Sequence, residues 1–172
     1  VGGVILSKER LLVSFEPRVL FKYTLLEAHS PTLLRFKPYL AFRSVNELTY
    51  ENNQANTSYS DETNGINMCL YEKYPCLHMQ FSKKPLYVHH PDWYKNIEYY
   101  KEQERGYEYR EDLLVPGYFA LSIKKGESII FSAGISSTSP RKLAELWDEE
   151  LKRRIVRSDM FSTLKNSAQQ FY

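Results

Sequence analysis

Long apolar runs are missing from this 172-residue chain, as are cysteine clusters, glycine-rich loops and blocks of like charge. No apolar stretch approaches the roughly 20 residues that a membrane-spanning helix needs. The apolar start, Val1 to Leu6, is short, and Lys8 follows it rather than preceding it, so it does not read as a secretory leader. Lys and Arg number 23 against 21 Asp and Glu. With no long basic tract, that balance argues against a nucleic-acid partner. Two cysteines are too few for a disulfide framework. Cys69 and Cys76 flank a turn, Tyr71 to Pro75, that can place them opposite each other on a hairpin. The default expectation is two half-buried thiols in a reducing cytosol. Without a secretory context, the acceptor triplet Asn56-Thr57-Ser58 means little. No phosphate loop, no alternation of strands with helices and no internal repeat is present.

What the chain has is strand grammar followed by helix grammar. Its length suits one domain with a real core. Arg10 to Phe15, Val19 to Leu26 and Leu33 to Phe42 are rich in apolar, β-branched and aromatic residues, with Pro17 marking a turn and Pro38 a bulge or edge. Glu51 to Asn64 reads as a long polar loop. Ile66 to Leu70, Cys76 to Phe81 and Leu86 to His89 read as short strands. Tyr118 to Ile123 and Ser128 to Ala133 predict a hairpin around Gly126. After Gly134 the period changes. Ser139 suits an N-cap and Pro140 a first helical position, with Leu143, Leu146, Trp147, Leu151 and Ile155 at helical spacing to about Arg157. Ser158 or Asp159 would cap a second helix carrying Met160 or Phe161, Leu164, Ala168 and Phe171 on one face. The expected fold is mainly β, an antiparallel β-sandwich over residues 1–136 followed by two C-terminal helices over 137–172. Because the chain opens on Val and ends within a helical pattern, it is expected to be a piece of a larger polypeptide.

Pro91 to Gly117 stands apart. It shows no clean strand or helix period, and it mixes six aromatics with many charges. Trp93, Tyr94, Arg105, Tyr109 and Arg110 are the residue types that stack on sugar rings and donate to hydroxyls. The same residues can equally pin a loop and bridge to another domain. Glu111 and Asp112 are adjacent, so on an extended chain they point to opposite faces and make a poor glycosidase pair. His89-His90 with Asp92 lacks a third ligand at a recognised spacing, so no metal or other cofactor is expected. No Ser or Cys sits in a nucleophile elbow. Histidine-and-acid chemistry would need both groups on one sheet face. The strand histidines His78 and His89 show no evident acid partner in the sequence.

Several pieces together resemble a known family. They are Pro38-Tyr39-Leu40-Ala41-Phe42-Arg43, Leu48-Thr49-Tyr50-Glu51-Asn52, Pro91-Asp92-Trp93-Tyr94, Glu104-Arg105-Gly106, Tyr109-Arg110-Glu111-Asp112-Leu113 and Pro116-Gly117. In order and spacing the chain is similar to the N-terminal domain of bacterial and archaeal type glycogen debranching enzymes, over most of residues 19–172. The tail Ala168-Gln169-Gln170-Phe171 resembles the start of that family's catalytic domain. The resemblance implies a galactose-mutarotase-like supersandwich, here partial, with strands upstream of Val1 and a helical linker into an (α/α)6 amylo-α-1,6-glucosidase barrel. It implies a cytoplasmic, non-catalytic domain whose partners are its own barrel and glycogen or maltooligosaccharide. Open sheet edges would offer a route to self-association. Trp93, Tyr94, Arg105, Tyr109, Arg110, Glu111 and Asp112 would then face the glycan, the barrel or both. The alternative is a stand-alone carbohydrate-binding module.

Overall fold

The computed structural model describes residues 3–154 and 159–168. Among the described residues, nine strands form two antiparallel sheets. β1 (Ile5–Leu12), β2 (Arg18–Glu27), β4 (Ser60–Glu62), β5 (Gly65–Met68), β6 (Leu77–Phe81) and β9 (Ser128–Gly134) make the larger, in the order β1-β2-β9-β6-β5-β4. β3 (Thr32–Phe36), β7 (Leu86–Glu98) and β8 (Arg110–Ile123) make the smaller, in the order β3-β8-β7. A short helix α1 (Tyr100–Glu104) separates β7 from β8, and α2 (Leu143–Arg153) and α3 (Met160–Ala168) follow the strands.

Period-two alternation along β2 and β9 splits the large sheet into two faces. Leu25 and Ile129 turn into the sandwich, where they meet Ile66, Met68, Met79 and Phe81 of the same sheet and Phe119, Leu121 and Ile123 of β8. Aromatic packing continues through this core, with Phe81 centred 4.9 Å from Phe119 and 4.7 Å from Phe131. Leu20 and Ile130 face the other way and meet Leu143 and Trp147 of α2, together with Val13. The fold is therefore a β-sandwich with a helix laid on the outer face of its larger sheet.

Two buried polar groups fix that third layer. Glu150 of α2 accepts hydrogen bonds from the amide (3.0 Å) and hydroxyl (2.9 Å) of Ser14, which ties the β1–β2 turn to the helix. The Gln80 side chain donates to the Thr138 carbonyl and accepts from the Thr138 amide, each at 2.8 Å, holding the segment that leads into α2.

Several local expectations change. The Tyr118–Ile123 and Ser128–Ala133 strands do not pair with each other: β8 joins the small sheet and β9 the large one. The turn at Gly126 is an arch that crosses the core, because both strands present apolar residues to the same interior. Its Gly126 amide donates to the Leu25 carbonyl rather than closing a hairpin. The first strand is Ile5–Leu12 instead of Arg10 to Phe15, and Phe15 lies in the following turn with φ 63°. The polar loop contains β4. Ser139 forms no side-chain cap; Pro140 opens a 3-10 turn before α2, which ends at Arg153. Asp159 does cap α3, accepting from the Ser162 amide at 2.8 Å. The expected positions Ile155, Arg157, Ser158, Phe171 and the Gln169-Gln170 tail lie outside the described residues.

Cys69 and Cys76 are not free thiols but a disulfide. β5 and β6 place Met68 opposite Leu77, so the next pair outward faces across the ladder, with Cα atoms 4.1 Å apart.

Trp147 is 1% exposed and central to the helix–sheet contact. Trp147→Ala is expected to lower the unfolding free energy by about 3–5 kcal/mol, read from urea denaturation with an unchanged m-value. A loss below about 1 kcal/mol would show that α2 is not part of the cooperative core.

Candidate functional site

The Pro91–Gly117 stretch is a bulged hairpin rather than irregular chain. β7 pairs with β8 from Leu86↔Ala120 to Glu98↔Arg110, but the register shifts between His89 and Asp92 and again between Tyr94 and Ile97. Each bulge resets the period-two alternation, so no strand pattern is legible across them. Asn96 takes φ 56° in the second bulge. Gly117 takes φ 140°, and a Cβ there would lie 2.1 Å from the Val88 carbonyl oxygen, so only glycine lets the strands approach at the first. At the tip, the Tyr99 amide donates to the Tyr109 carbonyl at 2.8 Å and α1 caps the hairpin.

Glu111 is the chemical centre of this hairpin. Its residue is fully buried. Arg43 Nε donates to one carboxylate oxygen at 2.7 Å and Arg43 Nη2 to the other at 3.0 Å, a bidentate pair. The Thr49 amide donates at 3.1 Å, and the Tyr99 hydroxyl donates as well. Burial alone would push this carboxyl up. The hydrogen bonds from Arg43, Tyr99 and the Thr49 amide outweigh it and hold the group below the usual carboxylate range. Tyr99 is shifted the opposite way, up, by burial and by its bond to Glu111.

Asp112 points to the opposite face, as adjacent strand residues must. Its two oxygens accept from the Glu51 amide at 3.0 Å and the Asn96 amide at 2.9 Å. Those bonds hold its carboxyl below the ordinary range. Its own amide donates to the Thr49 carbonyl at 2.7 Å. The two acids thus staple the chain from Arg43 to Glu51 onto β8 from both faces. Every strong donor they accept is a fixed part of the fold, which suits a structural clamp and leaves neither as a free acid or base.

The other expected residues lie along the same hairpin. Trp93 pairs with Leu114 and Tyr94 with Leu113. The Tyr94 hydroxyl accepts from Lys37 Nζ at 2.7 Å, and its ring meets Tyr39 edge-on at 5.0 Å. Arg110 lies over the Tyr109 ring at 5.1 Å and pairs with Glu98 at 2.8 Å. Arg105 is exposed at the tip, paired with Glu102 at 3.2 Å. His78, expected to lack an acid partner, has one: its Nδ1 lies 2.6 Å from Glu62 Oε1, joining β6 to β4. No group of three or more metal-ligating side chains occurs among the described residues.

The stapled segment is the wall shared by two grooves. One, of about 910 Å³, runs between it and the hairpin tip, lined by Arg43, Asn46, Glu47, Tyr99, Glu102, Tyr107 and Glu108 among others. The other, of about 550 Å³, runs between it and the loop closed by the disulfide, lined by Thr49, Tyr50, Asn52, Gln54, Tyr71, Glu72, Lys73 and Tyr74 with Arg43 and Glu47. Tyrosines beside amides, carboxylates and cations give faces to stack on and donors and acceptors to orient hydroxyls. Arg43, Thr49 and Tyr50 stand in the family-like pieces of the sequence, but like Tyr71 they carry no local signal of a site. Arg43 was visible as a cation next to an apolar run, but its partner lies 68 residues away.

The clamp carries a pH signature. A carboxyl whose folded value is depressed contributes stability that is present above its unfolded value, about 4.3, and lost as pH falls through the folded value. Wild-type stability is therefore expected to fall below about pH 4. Glu111→Gln should cost about 3 kcal/mol at pH 7 and flatten this acid limb, both read from denaturation at a series of pH values. An unchanged acid limb would remove Glu111 from the account.

Comparison with known proteins supplies the family. A model of the glycogen debranching enzyme N-terminal domain matches residues 1–130, from the start of the chain into β9. No curated protein and no solved structure matches the chain significantly. No helix among the described residues is long and apolar enough to cross a membrane. Folded as a β-sandwich clamped around a buried Glu111 and matched over three quarters of its 172 residues, the chain belongs to the family of glycogen debranching enzyme N-terminal domains.

Proposed function

We propose that this domain is the non-catalytic partner of an amylo-α-1,6-glucosidase barrel in a cytoplasmic glycogen debranching enzyme, and that it supplies one wall of the glycan cleft. In this reading residues 1–136 are the sandwich, and residues 137–172 are a helical linker into the barrel. The family match supports the first half. One observation supports the second: Arg43 to Glu51 is stapled by two carboxylates so that it presents a fixed, tyrosine-lined groove on either side. Rigid placement of aromatic and hydrogen-bonding groups is what recognition of a flexible polyol needs. The acids on the hairpin support a non-catalytic role, because Glu111 and Asp112 point apart and are consumed by structural donors.

In a debranching enzyme carrying this domain, Tyr50→Ala with Tyr71→Ala should raise KM for a branched glucan about three- to tenfold, and Trp93→Ala or Arg110→Ala should do so to a smaller extent. Circular dichroism should stay unchanged. Identical kinetics in all these variants would reject the cleft contribution. Affinity electrophoresis of the isolated chain on glycogen gels separates this from the stand-alone module, which would be retarded with no barrel present.

A further inference from the structure

We propose that Cys69–Cys76 is a reversible thiol–disulfide switch that sets the shape of the tyrosine-bearing groove wall; its functional consequence rests on the reading of that groove as glycan-facing. The bond closes the loop Leu70–Pro75 one position beyond the last β5–β6 pair, Met68↔Leu77. The two limbs of this loop are held unequally. On the first, Leu70 is 1% exposed, its carbonyl accepts from the Asn56 amide at 2.8 Å, and the Tyr71 hydroxyl accepts from Asn52 Nδ2 at 2.9 Å. On the second, Glu72 to Pro75 are exposed, Pro75 has no amide to donate, and the next ladder pair is Leu77. Within the loop the Tyr74 amide donates to the Tyr71 carbonyl at 3.1 Å and the two rings lie 6.2 Å apart, and the covalent bond adds the tie that fixes the far end of this limb, at Cys76, to the sheet.

Access follows from the same geometry. Cys69 is exposed, so an incoming thiolate reaches its sulfur from solvent. The donor class is a dithiol, or two monothiols. The first thiolate attacks Cys69 Sγ, the S–S bond breaks, and its electron pair leaves on Cys76 Sγ, which takes a proton from solvent. The second thiolate attacks the donor sulfur of the mixed disulfide and releases the Cys69 thiolate. The two protein sulfurs gain two electrons, and the donor leaves as its disulfide. Accessible disulfides are the exchangeable ones: excess thiol drives the reduction, and a small-molecule or protein disulfide, taken through the same two exchanges in reverse, re-forms the bond and leaves as its thiols. Reduction loosens the Glu72–Pro75 limb at its Cys76 end, and Lys73 and Tyr74 shift in the groove that they line together with Tyr50.

The test uses the whole chain, oxidised and after dithiothreitol, and the Cys69→Ser/Cys76→Ser variant. Thiols are counted by maleimide labelling, loop opening by the rate of tryptic cleavage after Lys73, and binding by maltoheptaose titration. Reduction is expected to expose two thiols and speed cleavage after Lys73 several-fold, with the double variant behaving as the reduced form and circular dichroism unchanged. Weaker maltoheptaose binding on reduction would support both the switch and the glycan-facing groove. Faster cleavage with no maltoheptaose binding in either state would leave the switch standing and reject the groove. Equal cleavage in both redox states, or two labelled thiols that never pair under oxidant, would overturn the switch. If the double variant fails to fold, the wild-type redox comparison still decides.

Discussion

A buried carboxylate with nowhere to go but a guanidinium organises this domain. Glu111 has no access to water, so its charge must be met by protein donors or not carried at all. Arg43 meets it with two hydrogen bonds, and the Thr49 amide and Tyr99 hydroxyl complete the set. Removing any member leaves a buried charge under-satisfied, which makes the arrangement all-or-none in character. Its structural result is that a chain segment with no secondary structure of its own, Arg43 to Glu51, is hydrogen-bonded to β8 near both of its ends.

That constraint links the layers of the fold to the surface. β8 belongs to the core through Phe119, Leu121 and Ile123, and to the clamp through Glu111 and Asp112. One strand therefore transmits the rigidity of the sandwich to the wall between the two grooves. At the other side of the molecule Glu150 plays a comparable part, accepting from Ser14 and pairing with Arg153 at 3.3 Å to fix α2 against the large sheet. In both places a buried acid converts an irregular connection into a defined surface.

Much of the fold was legible because alternation and helical spacing are local. β2, β5, β6, β9 and the apolar face of α2 follow from residues a few positions apart. The larger departures come from partners far apart in sequence. Tyr118 to Ala133 has a hairpin's composition, yet the choice of sheet depends on β2 and β3, about a hundred residues earlier. The β7–β8 bulges erased the strand period just where function-like residues cluster. Glu111 and Asp112 were recognisable as pointing apart, and the structure gives each its own set of donors. Arg43, 68 residues from its acid, stands in a family-like piece, but its neighbours do not reveal its partner. Cys69 and Cys76 lay opposite each other on a turn in the sequence too; what composition obscured was that the β5–β6 register brings them together.

The most direct test of the central claim, that the stapled segment is a glycan-facing wall, is a hydrogen-exchange footprint on a debranching enzyme carrying this domain, with and without a maltooligosaccharide. The account predicts slowed exchange at amides of residues 43–50 and 70–75 when saccharide is bound, with the core strands unchanged. Unaltered exchange throughout both segments at saturating saccharide would contradict it.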